Sequence, residues 1–245
     1  MKPDPDFPYY DGEPVEISAI QWLVPLAAVG AATCILLGQP QVFSESYWRL
    51  GPGVLLAILP LAGLALVTRG HWKALFRKVG LKEIGWMFAF ALLNYAIAIP
   101  LGLISVNLFE TAANPGISGM SDSGVSEQIL FFANSVPQLI GEELITIIPF
   151  IAIMYFLTRK MNVGRTSAII VAWLVTAVWF AAIHLPTYNW NILQCLVLIG
   201  GARLVLTLAY IKTKNIWVSA GAHIINDWAT FGFALMGAGR VVAGV

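Results

Sequence analysis

Six ionisable side chains and one amide lie inside apolar segments in the second half of the sequence. They are Glu142, Glu143, His184, Arg203, His223, Asn226 and Asp227. Ionisable groups inside membrane segments are costly, so they usually face a water-filled cavity or one another. A buried carboxylate paired with an imidazole can take a proton from water, and a second imidazole with an amide can stabilise an oxyanion. The set therefore indicates hydrolysis of a peptide bond.

The spacing of these residues groups them on helix faces. Phe180 and His184 are four residues apart, and so are His223 and Asp227. Residues at this spacing share one face of a helix, and Asn226 lies beside the second pair. We therefore expect two separate helices each to present one imidazole ring to a common cavity.

The adjacent acids Glu142 and Glu143 point about 100° apart on a helix, so only one of them points squarely into a shared cavity. The other acid needs a partner of its own. Glu and His side chains together are also suited to a zinc ion that lowers the pKa of bound water. The sequence has no HExxH pattern, which is typical of soluble zinc peptidases. A zinc site stays open as the alternative to a metal-free one.

The composition is that of a protein whose solvent is mostly lipid. The chain is 58% hydrophobic and 11% charged, whereas soluble domains carry about 25% charged residues. The net charge of +1 and the lack of a basic stretch interleaved with aromatic residues argue against a nucleic-acid partner. Cys34 and Cys195 both fall in apolar segments without CxxC spacing, which is typical of free buried thiols.

Hydropathy predicts an all-α fold, a polytopic membrane bundle of about seven transmembrane helices. The predicted spans are Ile17–Leu37, Gly53–Val67, Ile84–Leu103, Gln128–Leu157, Ser167–Ile183, Asn191–Ile211 and Ile216–Met236. The stretch 71–84 has an apolar stripe at helical spacing with its cations largely off that stripe, which predicts a helix lying in the membrane interface. The polar outer loop 109–127 is either a lid or a linker.

The basic residues fall mainly on one side of the predicted bundle. The loops after the second, fourth and sixth spans carry ten of the 14 Lys and Arg residues. Short basic loops stay in the cytoplasm, so the N-terminus is expected inside and the C-terminus outside. We expect one integral membrane domain, with a cytoplasmic segment 1–16, N-terminal spans and an outer loop over 17–127, and catalytic-type spans over 128–238.

The order of these motifs resembles that of the CAAX protease and bacteriocin-processing family, also called CPBP or Abi, which includes the eukaryotic CAAX-processing endopeptidase. The motifs stand here as Glu142-Glu143, Phe180…His184 and His223…Asp227. Each lies on a separate late span, and the resemblance covers about residues 128–230.

The resemblance implies a role for each motif residue. Glu142 would be the general base and His184 its partner in activating water, while His223 and Asp227 would form the oxyanion site. It also implies a glutamate-protease mechanism without metal. A charged carboxylate cannot donate to an oxyanion, so Asp227 either carries a proton or orients His223. Asn226 is a neutral donor one residue earlier.

The sequence departs from the family at one motif position. The first motif is usually EExxxR, and Ile147 stands at the Arg position. Arg203 comes out at a similar depth to Glu142 when residues are counted from the outer edge at ~1.5 Å each. A pair of Arg203 with Glu143 in place of the missing cation is therefore one hypothesis, and the alternative is that Arg203 snorkels to the interface or pairs elsewhere.

The resulting prediction is an intramembrane glutamate-type endopeptidase of the bacterial inner membrane. It would cleave a membrane-anchored, lipidated or leader peptide. The alternative is a non-catalytic family member, acting as an immunity factor or as a scaffold or subunit of a larger membrane complex. The missing motif Arg favours that alternative. A proton-coupled transporter would more typically show internal repeats, which the sequence lacks.

Overall fold

The computed structural model describes residues 6–38, 51–114 and 123–242, and these fold into helices and turns without a strand. The helices are α1 Leu23–Gly38, α2 Gly51–Val67, α3 Leu81–Leu108, α4 Val125–Tyr155, α5 Arg165–Ile183, α6 Ile192–Thr213 and α7 Ile216–Val242. One π-helical turn, Phe156–Lys160, extends α4, and another, Cys195–Ile199, lies within α6. The prediction of an all-α fold is confirmed for this part of the chain.

Four helical stretches in the described ranges are long and apolar enough to cross a membrane, so the protein is an integral membrane protein. They are Leu81–Leu108, Val125–Lys160, Arg165–Ile183 and Ile192–Thr213. Two further apolar helices, α1 and α2, have 16 and 17 residues. Each predicted span overlaps a helix, because an apolar segment in lipid must satisfy its own backbone hydrogen bonds. The count of about seven spans is not confirmed.

The predicted interfacial helix over 71–84 is wrong. Only His71–Leu75 is helical, as a 3-10 turn, and α3 already begins at Leu81. Between them, the backbone N–H of Arg77 donates to the side chain of Asn215 at 3.1 Å, so this stretch bonds to another loop instead of to itself. Gly80 N–H donates to the Glu83 carboxylate at 2.9 Å, which caps the start of α3.

Helix α4 is the central helix, and it packs against α1, α2, α5 and α7. Its approach to α2 depends on Gly141. A Cβ atom at this position would lie 2.8 Å from the carbonyl carbon of Leu56 and 2.9 Å from the backbone nitrogen of Ala57. Close helix approach of this kind requires a small residue. The residue directly before the acidic pair therefore fixes how tightly α2 lies against it.

The N-terminal segment packs into the bundle. Phe7 is 2% exposed, and its ring centroid lies 5.6 Å from that of Phe150 on α4 and 5.8 Å from that of Tyr210 on α6. Asp6 forms an ion pair with Arg165 at the start of α5. The segment therefore joins α4, α5 and α6 at the end of the bundle where their basic loops lie.

Candidate active site

The acidic pair on α4 divides its side chains between two environments. Glu143 is fully buried and faces Arg203 on α6, whose Nη1 lies 2.7 Å from Oε1. Nη2 of Arg203 donates to Oε2 at 2.8 Å. The contact of Nη1 is short enough for a hydrogen bond, but its angle is unsuitable, so it is an ion pair only. The predicted pairing of Glu143 with Arg203 is confirmed.

Arg203 is held by more than its acidic partner. Its Nε donates to the Thr207 hydroxyl at 3.2 Å, and the guanidinium carbon lies 4.9 Å from the centre of the Phe180 ring. A buried ion pair is tolerated when geometry is good and the remaining hydrogen-bonding groups find partners. The guanidinium of Arg203 is therefore fixed between α4, α5 and its own helix.

His223 on α7 bonds to the same buried acid. Its Nδ1 lies 2.9 Å from Oε1 of Glu143. Because the carboxylate beside Arg203 acts as an acceptor, Nδ1 carries the proton in this bond. The other ring nitrogen, Nε2, lies 3.8 Å from Oε2 of Glu142 and 3.8 Å from Oδ1 of Asp227. Glu143 therefore orients the His223 ring so that Nε2 faces two further carboxylates.

Glu142 is the acid that faces the cavity. Its side chain has no Arg or Lys partner in the described part of the chain. Oε1 accepts a hydrogen bond from Nε2 of Gln138 at 3.0 Å, one helical turn earlier. Only one acid of the pair was expected to face a shared cavity, and Glu142 takes that place while Glu143 is turned away.

His184 follows the last residue of α5, where the helix ends. Its Nδ1 lies 2.8 Å from the backbone oxygen of Phe180, and the two rings lie 4.5 Å apart. Since a carbonyl oxygen can only accept, Nδ1 is the donor and Nε2 is left as an acceptor. The predicted face shared by Phe180 and His184 is present, although the helix stops at Ile183.

The predicted side chains meet around one cavity of about 490 Å³. Its lining includes Glu142, Phe180, His184, Arg203, His223, Asn226 and Asp227. A second cavity, of about 510 Å³, lies on the α1 side and shares Gln138, Glu142 and His184 with the first. Glu142 and His184 therefore have access to both cavities, whereas Glu143 lies behind the wall of the first.

Sequence reasoning missed two residues that line this cavity. One is Gln138, which bonds to Glu142 on its own helix. Asn94 on α3 also lines the cavity. The spacing of four residues between Gln138 and Glu142 could have indicated the first of them. An amide within an otherwise apolar span was the signal for the second.

A zinc site is the alternative to a metal-free one that the sequence left open. Among the described residues, no three His, Cys, Asp or Glu side chains are grouped as a metal site requires. Glu143 directs its oxygens at Arg203 and His223, and the guanidinium would repel a divalent cation placed there. We therefore derive no step through a metal.

The comparisons with known proteins identify the region that holds this site. The sequence model described as type II CAAX prenyl endopeptidase Rce1-like matches residues 125–229, from the start of α4 into α7. Neither the curated proteins nor the solved structures give a significant match. The matched segment contains both acids and both imidazoles of the site, so over residues 125–229 the chain is similar to the CAAX protease (CPBP) family.

Proposed function

We propose that the protein is an intramembrane endopeptidase that cleaves a membrane-anchored, lipidated or leader peptide. One observation carries the proposal. Glu142, which has no Arg or Lys partner among the described residues, and the Nε2 atom of His223 lie 3.8 Å apart at a cavity about 490 Å³ in volume. A carboxylate and an imidazole at such a distance can act on the same water and the same peptide bond.

Glu142 acts as the general base. Gln138 holds Oε1, which leaves Oε2 to take a proton from water. Nε2 of His184 accepts the second O–H of that water, because Nδ1 is already bonded to the Phe180 carbonyl. The water oxygen then attacks the peptide carbonyl carbon, and the proton taken by Glu142 passes to the leaving amine.

His223 stabilises the oxyanion in its cationic form. Its Nδ1–H already donates a hydrogen bond to Glu143. A hydrogen bond from His223 to the oxyanion therefore requires a second proton, on Nε2. Asp227 lies 3.8 Å from Nε2 and favours that cation. Asp227 is then a positioning residue for His223 and does not itself donate to the oxyanion.

The non-catalytic alternative depended on the missing motif cation at Ile147. Arg203 supplies a cation to Glu143 from another helix. The absence of the motif Arg at position 147 therefore does not by itself argue for an inactive protein. We keep the immunity or scaffold role as the outcome to expect if no peptide is cleaved.

The proposed orientation has a cytoplasmic N-terminus, an outer C-terminus and a bacterial inner membrane as location. The contact of Asp6 with Arg165 supports this orientation, because it joins the N-terminal segment to the basic end of the bundle. Arg49, a basic residue between the first two predicted spans, lies outside the described residues. The middle of the outer loop, 115–122, lies outside them as well.

Cleavage by the purified protein in lipid nanodiscs tests the function. The probes are a farnesylated peptide ending in a CAAX-type sequence and an unlipidated leader peptide, with products identified by mass spectrometry in ¹⁸O-labelled water. We expect one ¹⁸O atom in the new carboxylate and no effect of a zinc chelator. Absence of cleavage of both probes would contradict the proposal, and loss of cleavage on chelation with recovery on adding zinc would contradict its metal-free form.

A further inference from the structure

Asn94 on α3 is a buried polar residue that the mechanism above does not use. Its exposure is 0%, and neither Nδ2 nor Oδ1 has a hydrogen-bond partner in the described part of the protein. Leaving a buried donor or acceptor unsatisfied destabilises the folded protein. Such groups require an explanation, and a ligand that satisfies them is one.

Asn94 lines the same cavity as Glu142 and His223. Tyr95, the next residue on α3, fixes the position of this part of the helix. Tyr95 donates through its hydroxyl to the backbone oxygen of Asn226 at 2.6 Å, which fastens α3 to α7 beside the oxyanion residues. Oδ1 of Asn226 is also buried without a partner. The wall of this cavity therefore holds unsatisfied amide atoms from two helices.

We propose that Asn94 binds the backbone of the substrate at the scissile site. Its Nδ2 donates to a peptide carbonyl oxygen, and its Oδ1 accepts a peptide N–H. An extended peptide presents both groups, whereas a lipid acyl chain presents neither. The inference rests on the proposed function, since it assigns the occupant of the same cavity.

The identity of residue 227 strengthens this assignment. An ionised Asp227 only accepts hydrogen bonds, so it cannot give the carbonyl oxygen a neutral donor. An amide in the wall of a cavity can stabilise developing negative charge on that oxygen without a change in its own protonation. Asn94 supplies this donor from α3, outside the segment 125–229 that the family model matches.

The variant Asn94→Leu tests the proposal, because it keeps the approximate size and removes both polar atoms. Replacing an unpartnered buried amide by an apolar group is expected to leave the melting temperature unchanged or raise it. We expect cleavage of the farnesylated CAAX peptide to fall at least tenfold in kcat/KM. Asn107→Leu is the matched control on the same helix, at an exposed position that bonds only its own helix backbone, and should cleave as wild type.

A binding measurement separates this proposal from the proposed function. The same peptide, with a fluorescent label, is titrated into Glu142→Gln and into the double variant Glu142→Gln/Asn94→Leu. We expect the dissociation constant to be at least tenfold higher for the double variant. Equal affinity of the two, or full activity of Asn94→Leu, would overturn the role of Asn94. Weaker binding by the double variant, without any cleavage by wild type, would instead contradict the proposed function and leave the Asn94 contact supported.

Discussion

Nη1 of Arg203 lies 2.7 Å from Oε1 of Glu143, and neither side chain is exposed. The two residues are 60 positions apart, on α6 and α4. In the family motif the cation stands on the same helix as the acid, at the position that Ile147 occupies here. The buried acid thus receives its cation from a different helix, and through Glu143 this cation also fixes the ring of His223.

Arg203→Leu is expected to destabilise the protein strongly, because it leaves the Glu143 carboxylate buried without its cation. Breaking a buried pair by removing one partner costs about 3–5 kcal/mol. Steric trapping in bicelles measures the free energy of unfolding. Arg159→Leu is the control, because Arg159 is half exposed and lies 3.9 Å from Glu16, where an ion pair contributes about 0–1 kcal/mol. Equal losses in the two variants would contradict the assigned importance of the buried pair.

Gly141→Ala is expected to loosen the contact of α2 with α4. The added Cβ would lie within 3 Å of the backbone of Leu56 and Ala57, which cannot move as a side chain can. Overpacking of this kind costs about 1–3 kcal/mol. Gly85→Ala on α3 meets nothing within 4 Å and should be neutral or stabilising, since Ala favours a helix over Gly. A Gly141→Ala protein as stable as wild type would show that the helices can separate at little cost.

The helices were predictable from the sequence, because apolar segments of sufficient length have few alternatives in lipid. The short segments between them were not. The stripe over 71–84 has helical spacing, but Asn215 from a distant loop takes the backbone N–H of Arg77. The N-terminal segment was expected to be a simple cytoplasmic extension, and the burial of Phe7 against α4 and α6 depends on contacts that composition does not show.

Gln138→Leu is expected to reduce cleavage about tenfold while leaving the fold intact. Gln138 is a positioning residue, because its amide fixes Oε1 of Glu142 and leaves Oε2 free for water. The effect should appear in kcat with little change in KM. Gln138→Glu is a useful second variant, since it replaces the donor by a like charge beside the base and should lower kcat further. Full activity of Gln138→Leu would contradict the positioning role of Gln138.

Asp6 predicts a pH dependence of stability at the basic end of the bundle. Burial alone would raise the pKa of Asp6, but the hydrogen bonds from Arg165, Tyr10 and the Phe7 backbone, together with the charge of Arg165, outweigh burial, and the pKa falls from 3.8 to about 2. A lowered pKa in the folded state contributes stability that is complete above pH 3.8 and is lost as the pH falls toward about 2. The carboxylate is partly exposed, so the contribution is small.

Melting temperatures of wild type and Asp6→Asn, measured from neutral pH down to about pH 2, test this linkage. We expect a lower melting temperature for Asp6→Asn at neutral pH and convergence of the two curves below pH 3.8. Asp11→Asn is the control, since the bond of Asp11 among the described residues is the one it accepts from the backbone N–H of Glu13. A difference that persists unchanged to the acid end would contradict the ion-pair explanation.

The site was predictable where spacing along one helix determines it. The pairs Phe180…His184 and His223…Asp227 follow from a period of four residues. Spacing alone did not choose between Glu142 and Glu143, because the choice depends on which neighbouring helix carries Arg203. The family resemblance assigned Glu142 as the base. Asn94 was not predicted either, since a single amide gives no spacing from which its neighbours across the bundle can be inferred.

The most direct test of the central claim is the cleavage rate of Glu142→Gln in nanodiscs, with the farnesylated CAAX peptide as substrate. Gln has the shape of Glu but cannot take a proton, and loss of a general base typically lowers the rate about 10²–10⁴-fold. We predict a fall of this size with an unchanged melting temperature, while Glu127→Gln, at the capped start of the same helix, cleaves as wild type. A Glu142→Gln protein that cleaves at the wild-type rate would contradict the account.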